Sequence, residues 1–93
     1  MLTLEQAREK LRLDNNDNDS IIEPFLQAMP NYIQETTGIS IDRQINDSNV
    51  KDLVQTLEGF LIQTWYNPEQ RDVERLERVT QELIKTLSFI KEP

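Results

Sequence analysis

Apolar residues along this chain recur every three or four positions, with polar residues filling the gaps. That period belongs to amphipathic helices, because strand side chains alternate every two. The first such run is short. Thr3-Leu4-Glu5-Gln6 fits a capping box, with the Thr3 hydroxyl accepting from the Gln6 amide and the Gln6 side chain accepting from the Thr3 amide. Leu4, Ala7 and Leu11 then form one stripe of a helix about three turns long, closing at Leu11-Arg12-Leu13. Glu5 with Arg8, and Glu9 with Arg12, are i,i+3 pairs expected on its wet side.

The second run starts at Asp19 or Ser20, where Ser20-Ile21-Ile22-Glu23 repeats the capping-box pattern. Pro24 falls close behind, where few intrahelical amide bonds are lost. The buried stripe reads Ile22, Phe25 or Leu26, Met29, Tyr32 and Ile33. Pro30 removes an amide donor and crowds the Leu26 carbonyl. The reading is a kink, with a true break into two short helices as the open alternative. Gly38 suits the position after the last turn, because it accepts left-handed backbone angles. Residues 39–47 are the least decided. Ile39 and Ile41 alternate with polar residues, which permits a short extended piece, and the stretch reads as an ordered loop pinned by isoleucines.

The third run is the most apolar. Asp47 or Ser48 would cap it, and Val50, Leu53, Val54, Leu57, Phe60, Leu61, Thr64 and Trp65 keep helical spacing, so it should be the centre of the core. Gly59 inside it costs roughly 1 kcal/mol against Ala in helix propensity, and close approach of a neighbouring helix would explain it. Asn67-Pro68 stops the run. The fourth extends from about Glu69 to Leu87 or beyond. Its stripe is Val73, Leu76, Val79 or Thr80, Leu83, Ile84 and Leu87, with Glu74, Arg78 and Glu82 opposite. Residues 88–93 keep Phe89 and Ile90 near the end and read as a docking tail. The fold class expected is all-α, a small bundle of about four helices in a single domain over residues 1–93.

Composition narrows the function. A chain of 93 residues is one domain at most. It buries only roughly 60–65% of its unfolded surface, so a partner surface would help it. The net charge is −7. Residues 1–50 hold nine acids and four bases, and residues 51–93 hold eight acids and six bases, giving −5 and −2. No Lys/Arg cluster exists, which disfavours tight nucleic-acid binding and an anionic membrane surface. There is no cysteine and no histidine, so the commonest general base, the best thiol nucleophile and the usual zinc ligands are missing. The chain opens on no basic stretch followed by an apolar run, so no signal peptide is expected. No apolar run approaches the roughly 20 residues of a membrane span, and the default compartment is the cytoplasm.

Three features invite chemistry. The loop Asp14-Asn15-Asn16-Asp17-Asn18-Asp19 suggests calcium, but a loop starting at Asp14 puts Asp19 where an EF-hand needs Gly and Phe25 where it needs Glu. A turn that caps the next helix suits these residues better. Carboxylate pairs for acid–base work need one buried member, and every acid here falls on a predicted polar face or loop. Gly38 and Gly59, 21 residues apart, build no phosphate loop. Trp65 and Tyr66 diverge by about 100° on one helix. Either one ring enters the core while the other sits at its edge, or one anchors a contact to another subunit. Phe89 and Ile90 raise the same choice. The candidate subunit or partner contacts are therefore Trp65, Tyr66, Phe89 and Ile90, with no catalytic or metal site and no cofactor.

The opening Leu2-Thr3-Leu4-Glu5-Gln6-Ala7, through Leu11-Arg12-Leu13-Asp14 and the acid loop, resembles the start of small tailed-phage head–tail connector proteins. These are also called head-completion or adaptor proteins and are associated with DNA packaging. Ile22, Leu26, Ala28, Tyr32, Ile33, Thr37 and Gly38 match the helix that follows in that family, and Trp65-Tyr66-Asn67 matches its later W-Y pair. The resemblance covers about residues 2–67. Pro30 and the Gln63-Thr64 step depart from the pattern, and the charged stretch 69–82 is longer than the pattern leads one to expect. The resemblance implies a non-enzymatic virion component that forms a homo-oligomeric ring beneath the portal. It would join the DNA-filled head to the tail-side head-closure protein, with the genome passing through. It would reside in the host cytoplasm during assembly and then in the virion. The competing reading is a small acidic helical regulator that binds one host or phage protein. An enzyme ranks last.

Overall fold

The computed structural model describes residues 1–90. Five helices follow one another: α1 (Leu4–Leu11), α2 (Asp19–Thr37), α3 (Ile41–Asn46), α4 (Lys51–Tyr66) and α5 (Val73–Ile90). No strand occurs among the described residues. The most apolar run takes the middle: α4 packs against each of the other four helices, and α5 lies along both α4 and α2. Val54, Leu57, Leu61 and Ile62 of α4 are at most 2% exposed. Ala7, Ile22, Met29, Ile33 and Leu87 meet them from α1, α2 and α5.

The α1 capping box is present, with Gln6 N donating to Thr3 Oγ1 at 3.1 Å and Thr3 N donating to Gln6 Oε1 at 2.9 Å. The helix is shorter than its stripe suggested, eight residues, because Arg12 turns left-handed at φ 58° and its amide closes on the Arg8 and Glu9 carbonyls. Arg8 does not serve the expected Glu5 pair. It grips Asp19 through two bonds of 2.8 and 2.9 Å, tying α1 to the first residue of α2. That use of Asp19 also replaces the expected Ser20 cap, since Ser20 lies inside the helix and Asn18, the capping residue, makes no side-chain cap bond. A carboxylate in the first turn still suits the positive end of the helix dipole.

α2 runs unbroken through Pro24 and Pro30, which removes the two-helix alternative. Met29, Pro30 and Ile33 are buried, so packing on both sides of the proline outweighs the one lost amide bond. Gly38 ends the helix at φ 80°.

The loop expected over residues 39–47 is instead the short helix α3. The Ser40 hydroxyl accepts from the Arg43 amide at 3.3 Å to start it. Gln44, 3% exposed, donates to the Pro30 carbonyl at 2.9 Å and the Ile39 carbonyl at 3.1 Å, fastening it to α2. Ile39 is a buried pin as expected, whereas Ile45 is 44% exposed. Asp47 caps one turn early, its Oδ1 accepting from the Asn49 amide at 2.9 Å, and α4 itself starts at Lys51 without a side-chain cap. Beside Gly59 lies the aliphatic stem of Lys10 from α1, not a neighbouring helix backbone. α5 begins at Val73, four residues later than expected, because residues 68–72 form turns after Pro68. Thr80, not Val79, faces the core. Ser88, Phe89 and Ile90, expected in a tail, form the last turn of α5, and the rest of that stretch, 91–93, lies outside the described residues.

Candidate interaction surface

The four aromatic and aliphatic candidates separate on folding. Trp65 and Tyr66 leave the end of α4 on different flanks, as their angular offset requires. Trp65 is half-buried and packs edge-on against Tyr32 (centroids 5.2 Å apart, planes at 86°) and Phe25 (6.0 Å, 60°). This edge-to-face arrangement is the favoured one for aromatic rings. Tyr66 is also half-buried, and it faces Lys10, Leu11 and Arg12 across a polar cleft toward α1. Neither ring is fully enclosed, so the expected division into one core ring and one edge ring gives way to two edge rings. Phe89 stands clear of the protein at 80% exposure. Ile90 is half-buried against the core, and its carbonyl accepts from Arg43 Nη2 at 3.4 Å.

Trp65 forms one wall of an open groove of about 550 Å³ between α2, α4 and α5. Tyr32, Leu61 and Thr64 line it alongside, Pro68 lies at one end, and α5 adds Glu74, Glu77 and Arg78 and, farther along, Thr80 and Gln81. The charged side chains on α5 follow from its solvated face, and the rings come from the interior of α2 and the end of α4.

One acid contradicts the expectation that every carboxylate is solvated. Glu58 on α4 is 1% exposed and accepts the Leu2 amide at 3.1 Å. Burial holds its carboxyl above the ordinary value, opposed by the nearby N-terminal ammonium and the Leu2 amide. The signal was present in the spacing: position 58 is four from Val54 and three and four from Leu61 and Ile62, all buried. The solvated acids behave differently. The Arg8 guanidinium bonded to Asp19 lowers its carboxyl, and the Asn49 amide and Arg43 lower Asp47.

The acid loop is a turn. Asn15 Oδ1 accepts from the Asp17 amide at 3.0 Å, while Asp14 and Asp17 point to solvent. Among the described residues no three carboxylates gather into a set able to hold a metal ion. No helix among them is long and apolar enough to cross a membrane.

The surface thus offers apolar and aromatic contact area on an acidic helical body. The family model for the Phage gp6-like head-tail connector protein matches residues 1–88. No curated protein and no solved structure matches the chain. With that match spanning nearly the whole sequence, the chain belongs to the phage gp6-like head–tail connector family, structural proteins of virion assembly and not a family of enzymes.

Proposed function

We propose that this protein is the repeating subunit of a ring at the head–tail junction. Identical copies assemble beneath the portal of the DNA-filled head and join it to the next tail-side protein, the head-closure protein. The family match over residues 1–88 carries this reading. The surface supports it, because Phe89 is exposed and Trp65 and Tyr66 are only half-covered, which leaves aromatic area for subunit contacts. Ile90 contributes at the edge of the same end of α5.

The charge supports a passage for DNA. With a net charge of −7, a lumen lined by carboxylates repels phosphates, so the duplex slides without adhering. Mixing the purified protein with its portal and imaging the product by electron microscopy tests the ring. The expected result is a symmetric ring of this chain stacked on the portal, and a portal that stays bare overturns the reading. Retention of duplex DNA in a gel shift at moderate salt, with shallow salt dependence, would argue against the repelling lumen.

A further inference from the structure

Phe89 and the Trp65 groove are two unfilled halves on one molecule, and they cannot meet within it. Phe89 lies eight residues beyond Gln81, the last groove residue on the continuous helix α5. That places it roughly 12 Å along the axis from the groove, held there by the helix itself. Among the described residues nothing covers this ring, which is 80% exposed, and another molecule can.

We propose that Phe89 of one copy seats in the Trp65 groove of a neighbouring copy; this rests on the self-assembly reading above and names its contact. The groove already presents the edges and faces of Trp65 and Tyr32, backed by Phe25, and a further aromatic ring extends that edge-to-face series. Charge agrees with the same docking. Lys85 sits one turn before Phe89 on the same exposed stripe, about 6 Å away along the axis. Glu74 and Glu77 outnumber Arg78 on the groove's α5 side, so an incoming Phe89 brings its lysine toward a net negative wall. Knob and groove are different patches, which makes the contact heterologous, and a heterologous contact repeats from copy to copy until a rotation closes it into a ring. One aromatic knob is an anchor within the larger interface that a stable assembly needs.

Trp65 is the only tryptophan in the chain, so its emission reports on the groove directly. The experiment is a concentration series of the full chain, followed by Trp65 fluorescence and by light-scattering mass. The expected result is a blue shift that rises in step with mass. Phe89→Ser, at a position exposed enough to leave the helical circular dichroism unchanged, should remove the shift and weaken association at least about tenfold. Lys85→Glu and Glu77→Lys should each weaken association, and the double variant should recover it. Assembly that proceeds in Phe89→Ser with no Trp65 shift overturns this contact and leaves the ring standing on another face. A blue shift that saturates at a dimer makes the contact a reciprocal pair and overturns its repeating use, and the ring is then decided by the portal-bound images. A chain that stays monomeric, with constant emission, overturns the contact, and the ring is then decided by the portal-bound images.

Discussion

Glu58 sits where its helix position should carry a leucine, and its burial makes a pH signature. The carboxyl is held above its ordinary value of 4.5 by desolvation, so the folded state keeps a proton that the unfolded chain releases. Stability from this group is complete below pH 4.5, falls as pH rises toward the folded value, and is then flat. Asp19 and Asp47 act with the opposite sign, since their carboxyls are lowered and their contributions are lost as pH falls below about the ordinary 3.8. The two windows do not overlap above pH 5. Urea unfolding at pH 5 and pH 8 should show the wild type losing stability between them. Glu58→Gln keeps an acceptor for the Leu2 amide without the charge, so it should lose less and be the more stable chain at pH 8. Identical losses in both chains would contradict the account. Gly59 gives a second test. An added methyl would stand 3.3 Å from Lys10 Cε, the flexible end of a side chain that can move aside. Gly59→Ala should therefore gain about 0.5–1 kcal/mol of helix propensity, read as a higher urea midpoint. Gly59→Leu should lose stability, because Lys10 cannot yield that much space.

The helices are tied to one another by a few polar fasteners between apolar seams. Arg8 and Asp19 join α1 to α2 across the acid loop, and that bond makes the loop an elbow with one end clamped. Gln44 does the same for α3. Its side-chain amide serves two buried carbonyls, and a six-residue helix has little stability of its own. Gln44→Leu should cost about 1–3 kcal/mol, because it leaves buried carbonyls without that donor. Amide exchange should report the loss first in residues 41–46. Equal protection of α3 in variant and wild type would show that the helix does not depend on this residue. Arg43 also donates to the Ile90 carbonyl at 3.4 Å, a polar link from α3 to the end of α5.

Each copy carries a net charge of −7, and the proposed ring would bring those charges together. Repulsion between copies opposes assembly, and salt screens it, shortening the screening length from roughly 10 Å at 0.1 M to 3 Å at 1 M. Self-association should strengthen with sodium chloride over that range, as measured by sedimentation. The single Lys85 attraction is outweighed by the summed repulsion. Weakening with salt would mean that specific ion pairs dominate the interface.

Much of this molecule was readable from neighbouring residues. The capping box at Thr3 and Gln6, the Gly38 terminus and the spacing of the long helices are decided within one or two turns of backbone. Local propensity and the 3.6-residue period therefore determine them, and with them the all-α class. The order of motifs was also enough to point to the connector family. The misses in burial and polar pairing involve residues well apart in the chain. Glu58 lies on the apolar face by its spacing, and Leu2, 56 positions away, supplies the amide that satisfies it there. Lys10 covers Gly59, Arg8 prefers Asp19 to Glu5, and Gln44 turns an ambiguous stretch into α3. Each choice depends on which helix lies alongside which, and that follows from packing every apolar stripe into one core. Local spacing and caps thus set the helices and their apolar faces. Only tertiary packing decided which polar groups went inside with them, because a buried charge or amide persists only where a distant partner meets it.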